Sequence, residues 1–227
     1  MNQIKNNIPS NALITLAGTV GVGKSTLTQQ LANRLQFESS FEKVDGNPYL
    51  EDYYNDFKAW SFHLQIYFLA ERFKQQKQMS ETGLGYVQDR SIYEDVGIFA
   101  QMQYENGNMS ERDFNTYHSL FEAMVMNPYF PKPNVLIYID GQFESIMQRI
   151  HDRGRDMEIN TPRAFWEDLY QRYSNWIRHF NVCPVLHLDI DEYDCYDPSS
   201  LNEIVEGVET LIHTDQNYLA LHSSSVK

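Results

Sequence analysis

Cysteines, basic residues and long apolar runs are all scarce in this 227-residue chain. The two cysteines, Cys183 and Cys195, are too few for a disulfide framework and lack the C-x-x-C spacing of zinc and redox sites. Only 18 Lys and Arg oppose 31 Asp and Glu, which gives a formal net charge of −13. Nucleic acids and anionic membrane surfaces attract basic proteins, so the sequence predicts neither as a partner.

Hydrophobic targeting and spanning segments are also missing from the sequence. No window approaches the roughly 18 apolar residues of a membrane span, and no N-terminal apolar run precedes a cleavage site of small residues. We therefore expect a cytoplasmic protein. An apolar fraction of 42% is sufficient for a large core, and the length favours a single domain over residues 1–227. Residues 1–11 and about 214–227 are expected to be flexible tails.

Short apolar segments alternate with long helical patterns along the chain. The segments 12–17, 85–88, 135–139 and 185–188 predict buried strands, and 37–44 predicts a weaker fifth. Between them, apolar side chains recur about every 3.6 residues, as in helices. These helical patterns cover 56–79, 91–105, 110–126, 142–153, 163–180 and 199–212. Strands that alternate with helices predict an α/β fold with a parallel sheet of about five strands.

A glycine-rich segment, GTVGVGKS, follows the first predicted strand at residues 18–25. It matches the phosphate-binding P-loop, and a helix is predicted to begin near Lys24. The glycines allow backbone N–H groups to face phosphate oxygens, and the helix N-terminus adds positive partial charge. We expect Lys24 to reach the β- and γ-phosphates of ATP and Ser25 to bind Mg²⁺. The predicted ATP-binding residues are Gly18, Thr19, Val20, Gly21, Val22, Gly23, Lys24, Ser25 and Thr26.

Two carboxylates lie where predicted strands end. Asp89 follows the third strand, and ligands bind at the carboxyl ends of parallel strands, so we predict it near the metal and the triphosphate. Its alternative role is a structural ion pair with Arg90. Glu42 follows the weak strand and is a candidate general base for an attacking hydroxyl. The alternative for Glu42 is an ordinary surface residue.

Three arginines, Arg149, Arg153 and Arg155, cluster at the end of the predicted helix 142–153. Arg149 and Arg153 share a helix face, and clustered guanidinium groups repel one another unless an anion lies among them. We predict a lid whose arginines stabilise a transferring phosphoryl group. The alternative is a solvated helix end in which neighbouring carboxylates pair with the arginines. Those neighbours are Asp152, Asp156 and Glu158.

The motifs together resemble the deoxynucleoside kinase family. They are GTVGVGKS at 18–25, EKV at 42–44, WSFHLQ at 60–65, DRS at 89–91 and the arginines of 149–155, in the family's order. The resemblance runs from about residue 12 to 190 and is nearest to the bacterial deoxyadenosine/deoxycytidine kinases. It implies a homodimeric P-loop kinase that transfers the γ-phosphoryl group of ATP, with Mg²⁺, to the 5′-hydroxyl of a deoxynucleoside.

The same resemblance implies roles for residues around the reacting groups. Glu42 resembles the general base, and Arg90 resembles the residue that orients the 5′-hydroxyl. Ser25 and Asp89 resemble the residues that hold Mg²⁺. The three arginines near 149–155 resemble the lid on the donor phosphates. Together with Lys24, these residues form the predicted catalytic set.

Further positions resemble the nucleoside-binding site. Gln65 resembles the amide that reads the base edge, and Phe99 resembles the ring that stacks on the base. Tyr54 and Glu158 resemble the pair that binds the 3′-hydroxyl. Tyr67 and Phe68 are expected in the core.

One charged pair bears on the choice of base. Arg72 and Asp95 resemble the pair in members that prefer deoxycytidine and purine deoxynucleosides. They fill the room that the thymine methyl group needs, so thymidine is expected to be a poor acceptor. The choice among deoxyadenosine, deoxycytidine and deoxyguanosine stays open.

Two other functions are compatible with a P-loop. A nucleoside monophosphate kinase needs further arginines for the phosphate of its acceptor. A non-catalytic NTP-binding switch needs neither an acceptor site nor a lid, and would hydrolyse nucleotide slowly.

Overall fold

One parallel sheet organises the fold. A computed structural model of the chain describes residues 6–42, 46–127 and 130–221. Within these residues, six strands are hydrogen-bonded in the order β2-β3-β1-β4-β5-β6, and every pair is parallel. The strands are β1 Leu13–Ala17, β2 Glu38–Ser40, β3 Tyr86–Asp89, β4 Val135–Asp140, β5 Val185–Asp189 and β6 Tyr218–Ala220. The predicted parallel α/β fold is confirmed, with one strand more than expected.

Helices connect the strands, as parallel pairing requires. They are α1 Lys24–Leu35, α2 Leu50–Asn55, α3 Phe57–Thr82, α4 Ile92–Glu94, α5 Gln101–Glu105, α6 Glu111–Val125, α7 Phe143–Arg153, α8 Asp156–Ile159, α9 Arg163–His179 and α10 Pro198–His213. A π-helical segment, Asp95–Ala100, joins α4 to α5, so the predicted helix 91–105 is one continuous element of changing pitch. The short helices α2 and α8 are not in the sequence prediction. In the described part of the chain, no helix has the length and hydropathy to cross a membrane.

The central strands form the core because helices cover both faces of the sheet. All five residues of β1 are buried, and so are Val135–Ile139 of β4. Their near-continuous apolar sequence follows from this two-sided burial. Helices α1 and α10 contact each other, and α10 packs on β4 and β5. The carboxyl ends of β1 and β3 therefore lie at one edge of a rigid sheet, where the P-loop and Asp89 emerge.

Parts of both segments that the sequence predicts to be flexible tails make defined contacts in the described residues. Strand β6 lies in the C-terminal segment and pairs with β5, and Leu221 N donates a hydrogen bond to His187 O at 3.0 Å. Near the N-terminus, Ile8 is buried in the main core. A three-residue strand has too few residues to show a pattern, and β6 depends on its pairing with β5 and on the packing of Leu219 against the main core. Residues 1–5 and 222–227 lie outside the described residues.

The P-loop approaches β4 so closely that Gly18 has no room for a side chain. Its φ is +146°, and a Cβ there would collide with the carbonyl O of Ile139. Because this neighbour is backbone in a buried strand, it cannot move aside as a side chain would. Gly83, which ends α3 at φ +64°, has nothing near its missing Cβ.

We expect Gly18→Ala to lower the free energy of unfolding by about 3 kcal/mol or more, through the collision and the strained φ together. Gly83→Ala is the matched control, and only its positive φ should matter, at about 1 kcal/mol. Urea unfolding of both variants measures the difference. Equal losses would contradict the close approach at Gly18.

Candidate active site

A cleft of about 630 Å³ opens beside the P-loop, and most of the predicted site residues line it. They come from segments that are distant in sequence, including α2, α3, the end of β3, the π-helical segment, α7 and α8. The predicted residues in its lining are Val20, Gly21, Gly23, Lys24, Ser25, Thr26, Glu42, Tyr54, Gln65, Asp89, Arg90, Asp95, Phe99, Arg149, Arg153, Arg155 and Glu158. Gly18, Thr19, Val22 and Arg72 lie outside this lining.

Lys24 is folded across the P-loop. Its Nζ donates hydrogen bonds to Gly18 O at 2.8 Å and to Thr19 O at 2.9 Å, and the residue is 7% exposed. Burial, with a smaller contribution from Arg90, lowers the pKa of Lys24 to about 8. An anion in the loop would favour the charged ammonium, because an opposite charge stabilises it. The Lys24 ammonium is thus placed to bind phosphate oxygens that enter the loop.

Ser25 and Asp89 meet at the base of the cleft. Ser25 Oγ donates a hydrogen bond to Asp89 Oδ2, whereas the buried Oδ1 has no hydrogen-bond partner among the described residues. Mg²⁺ takes few protein ligands, commonly one or two carboxylates, and fills its octahedron with water and phosphate oxygens. A hydroxyl beside a carboxylate with a free oxygen fits that preference. In the described residues, no cluster of three or more His, Cys, Asp or Glu could enclose a metal.

Glu42 is held by two buried arginines. Its Oε1 lies 3.0 Å from Arg90 Nε and 3.4 Å from Arg72 Nη2, in two ion pairs. Burial alone would raise the pKa of Glu42, but Arg90 and Arg72 outweigh it, and the pKa lies below its ordinary value. The carboxylate is therefore ionised at neutral pH and faces the cleft, as a proton acceptor must. The neighbouring Lys43 and Val44 of the EKV motif lie outside the described residues.

Arg90 has a strained backbone and a fixed side chain. Its φ is +69°, in the left-handed region that costs a non-glycine residue about 1–2 kcal/mol. Its N–H donates to Leu16 O at 2.9 Å, and its guanidinium lies 4.7 Å from the centre of the Phe99 ring. Such strain persists only where surrounding contacts determine the conformation.

Arg72 and Asp95 form a buried ion pair at 3.4 Å between Nε and Oδ2. Burial raises the pKa of Asp95 to about 6, although Arg72 opposes the rise. Arg72 is 2% exposed, and its Nη1 also donates to Asp89 O at 3.0 Å. Arg72 therefore lies behind the cleft wall, where it braces Glu42, Asp95 and the end of β3. Only Asp95 of the pair faces the cleft itself.

The residues predicted to bind the base and the 3′-hydroxyl lie on α2, α3, the π-helical segment and α8. Gln65 is 3% exposed, and its amide forms no hydrogen bond within the described chain, although it faces the cleft. Burial raises the pKa of Tyr54, and nearby Glu158 adds to the rise. The core prediction is wrong for Phe68, which is half-buried and lines the cleft.

Two of the three arginines at 149–155 pair with Glu158. Arg153 Nε donates to Glu158 Oε2 at 3.1 Å, and Arg155 Nη1 donates to Glu158 Oε1 at 3.4 Å. Arg149 Nη2 donates to Ile190 O at 3.3 Å. The alternative of pairing with Glu158 is thus found for two of the arginines, and all three arginines line the same cleft as Lys24.

Comparison with known proteins decides the family. Residues 14–213 match the sequence model of the deoxynucleoside kinase family. The chain belongs to the deoxynucleoside kinase family. It is 60% identical over 213 residues to the deoxyadenosine/deoxycytidine kinase of Bacillus subtilis (strain 168), covering 93% of this chain and 98% of that protein. It is 35% identical over 211 residues to the deoxyadenosine kinase of Dictyostelium discoideum, covering 91% and 84%.

A solved structure agrees with this membership. The deoxyadenosine kinase from M. mycoides with bound dATP has a TM-score of 0.75 and 31% identity, covering 88% of this chain and 100% of that chain. The chain is therefore a deoxynucleoside kinase, and the predicted enzyme class is confirmed. The two alternatives, a nucleoside monophosphate kinase and a non-catalytic switch, do not match this family.

Several residues of the kinase's cleft belong to no motif that the sequence singles out. The apolar and aromatic lining residues not predicted are Phe41, Leu50, Tyr53, Leu64, Met157, Phe165, Trp166 and Leu169. Helical periodicity in 163–180 was a usable signal, because Trp166, Leu169 and Tyr173 are buried on one face of α9. The pattern predicts that face but not the surface that it contacts. Glu94, which does not line the cleft, was also not predicted. Its hydrogen-bond partner Tyr173 lies 79 residues along the chain.

Proposed function

We propose that this kinase transfers the γ-phosphoryl group of ATP, with Mg²⁺, to the 5′-hydroxyl of deoxyadenosine or deoxycytidine. The observation that carries the proposal is the ionised Glu42, held by Arg90 in the same cleft as the P-loop lysine. The 60% identical relative is named a deoxyadenosine/deoxycytidine kinase, which supports these two acceptors. The kinase from M. mycoides has been solved with dATP and with dCTP, which supports a site for adenine and cytosine nucleotides.

The mechanism consists mainly of positioning and charge stabilisation. Glu42 accepts the proton of the 5′-hydroxyl as that oxygen attacks the γ-phosphorus; the bond from that phosphorus to the β,γ-bridging oxygen breaks, and ADP leaves with the bridging oxygen. Arg90 orients the hydroxyl. Lys24 and the lid arginines stabilise the negative charge of the transferring group. Ser25 and Asp89 would hold Mg²⁺, which supplies charge neutralisation on the phosphates when bound.

Base selection rests on polar and aromatic groups that line the cleft. Gln65 offers an unpaired amide, and Phe99 a ring for stacking. Tyr54 and Glu158 bind the 3′-hydroxyl. Asp95 occupies the wall that a thymine methyl group would approach, and Arg72 holds it there. An apolar methyl against a buried ion pair is unfavourable, so thymidine is a poor acceptor.

A panel of acceptors tests the function and its specificity together. With ATP and Mg²⁺, product formation should be fast with deoxyadenosine and deoxycytidine and slow with thymidine and deoxycytidylate. In the double variant Arg72→Met with Asp95→Ala, total activity falls because Arg72 braces Glu42. The ratio of kcat/KM for thymidine to that for deoxyadenosine should nevertheless rise about tenfold, because the methyl group gains room.

A partly buried ion pair outside the cleft provides the control for this double variant. Arg172 Nε lies 2.9 Å from Asp168 Oδ1 on α9, away from the cleft. Arg172→Met with Asp168→Ala should leave the acceptor ratio unchanged. Phosphorylation of deoxycytidylate alone would overturn the proposed acceptor, and an unchanged ratio in the first double variant would overturn the role of Arg72 and Asp95.

Assembly and location remain parts of the proposal. A homodimer is favoured by apolar side chains exposed near the end of α6, where Leu120 is 39% and Met126 is 80% exposed. A cytoplasmic location and a role in nucleotide salvage follow from the family's activity on free deoxynucleosides. The net charge of −13 supports the prediction that nucleic acids and membranes are not partners.

A further inference from the structure

A carboxylate that no motif singled out, Glu94, is fully buried beside Arg90. A buried carboxylate is stable only when donors satisfy its oxygens. Its Oε2 accepts hydrogen bonds from Ser91 N at 2.7 Å and from Ser91 Oγ at 3.1 Å. Its Oε1 accepts one from the Tyr173 hydroxyl at 2.8 Å and lies 3.5 Å from Arg90 Nη1. Donors therefore surround both oxygens.

The two oxygens of Glu94 have different tasks. The bonds from Ser91 complete a capping box at the start of α4, which needs only Oε2. Oε1 contributes nothing to the cap and is directed instead at Tyr173 and Arg90. The helix start alone does not require the contacts of Oε1 with Tyr173 and Arg90.

Tyr173 connects Arg90 to Glu94 in an ordered chain of hydrogen bonds. Arg90 Nη1 donates to the Tyr173 oxygen, and the Tyr173 hydroxyl donates to Glu94 Oε1. Tyr173 is 1% exposed, and α9 packs closely on the π-helical segment, where a Cβ at Gly97 would lie only 2.7 Å from Trp176 Nε1. The contact between α9 and this segment is therefore close, and the phenol has little freedom to move.

Arg90 is consequently held from two sides. Its Nε lies 3.0 Å from Glu42 Oε1. Its Nη1 donates to the Tyr173 oxygen and lies 3.5 Å from Glu94 Oε1. The guanidinium is a rigid plane, so fixing Nη1 also fixes the direction of Nε. We propose that Glu94 and Tyr173 are positioning residues that set Arg90, and through it Glu42, for attack by the acceptor hydroxyl. This inference rests on the proposed role of Glu42 as general base.

A matched pair of phenylalanine variants on α9 tests the inference. Tyr173→Phe removes one hydroxyl and should lower kcat with deoxyadenosine about tenfold, while the KM for ATP stays unchanged, because the P-loop is untouched. Tyr170→Phe, on the same helix, removes a hydroxyl that donates to Gly141 O at 3.1 Å. It should lower Tm by a comparable amount but leave kcat unchanged.

A double-variant cycle separates positioning from folding. Glu94→Gln should lower kcat, because its amide N–H₂ must face one of the two pairs of donors. In a Glu42→Gln background the same change should have no further effect on kcat, since the group that Glu94 positions is already inactive. If Glu94 had a purely structural role, Glu94→Gln would lower kcat by the same factor in both backgrounds. It would also lower Tm by the same amount in both.

The outcomes distinguish this inference from the proposed function. If Tyr173→Phe retains kcat while Glu42→Gln loses it, the positioning role is wrong and the general base stands. If Glu42→Gln retains kcat, both are overturned. Should Glu94→Gln fail to fold, the comparison of Tyr173→Phe with Tyr170→Phe still decides.

Discussion

Glu42→Gln is expected to lower kcat with deoxyadenosine by about 10²- to 10⁴-fold, the usual contribution of a general base. The glutamine keeps the shape and still accepts a hydrogen bond from Arg90, but it cannot take a proton at neutral pH. Binding of ATP should survive, because the P-loop is unchanged. Single-turnover kinetics and nucleotide titration measure the two effects separately.

The control for this variant is a glutamate on the strand that precedes Glu42. Glu38 begins β2 and is exposed, outside the cleft. Glu38→Gln should leave kcat and KM unchanged. Normal turnover by Glu42→Gln would show that another group, or bulk water, takes the proton. Loss of both kcat and ATP binding would indicate damage to the cleft rather than to proton transfer.

Lys24→Met is expected to lower kcat by about 10³-fold, because preorganised charge on the transferring phosphoryl group is lost. The methionine fills a similar volume but cannot bond the carbonyl oxygens of Gly18 and Thr19. Some stability should be lost as well, since two buried carbonyls lose their donor. Product formation and thermal unfolding, measured on the same preparation, distinguish the two losses.

An exposed lysine provides the comparison for Lys24. The side chain of Lys74 on α3 is 71% exposed and pairs with Glu71. Lys74→Met should change neither kcat nor Tm, since an exposed ion pair contributes little. If Lys24→Met retained its kcat with deoxyadenosine and ATP, the loop would bind phosphate through its backbone alone, and the catalytic role of the lysine would be wrong.

Local pattern was enough to predict the order of the main elements. The strand, glycine-rich loop and helix at residues 12–35 form one continuous signal, because each part is specified by adjacent residues. The buried strands β1, β3, β4 and β5 were predicted from short apolar runs. Asp89 could be placed at the P-loop edge of the sheet, since every parallel strand presents its carboxyl end there.

Other elements depend on partners that the sequence does not reveal. Strand β6 depends on hydrogen bonds from the edge of β5 and on packing against the core, and its three residues carry no pattern of their own. The core prediction for Phe68 failed for the same reason, since a helical period does not tell whether a face meets a core or a cleft. Arg72 matches the family motif, yet only the structure shows that it lies behind the cleft wall.

The sequence by itself determined the fold class, the phosphate-binding loop and many of the polar residues in the cleft, because these are recognisable from local patterns and motifs. The tertiary structure alone decided which buried charged and polar side chains meet. Glu42 is paired with Arg72 and Arg90, and Glu94 with Tyr173, 79 residues along the chain. Such pairs form because buried charges require partners, and the folded sheet brings those partners from distant segments.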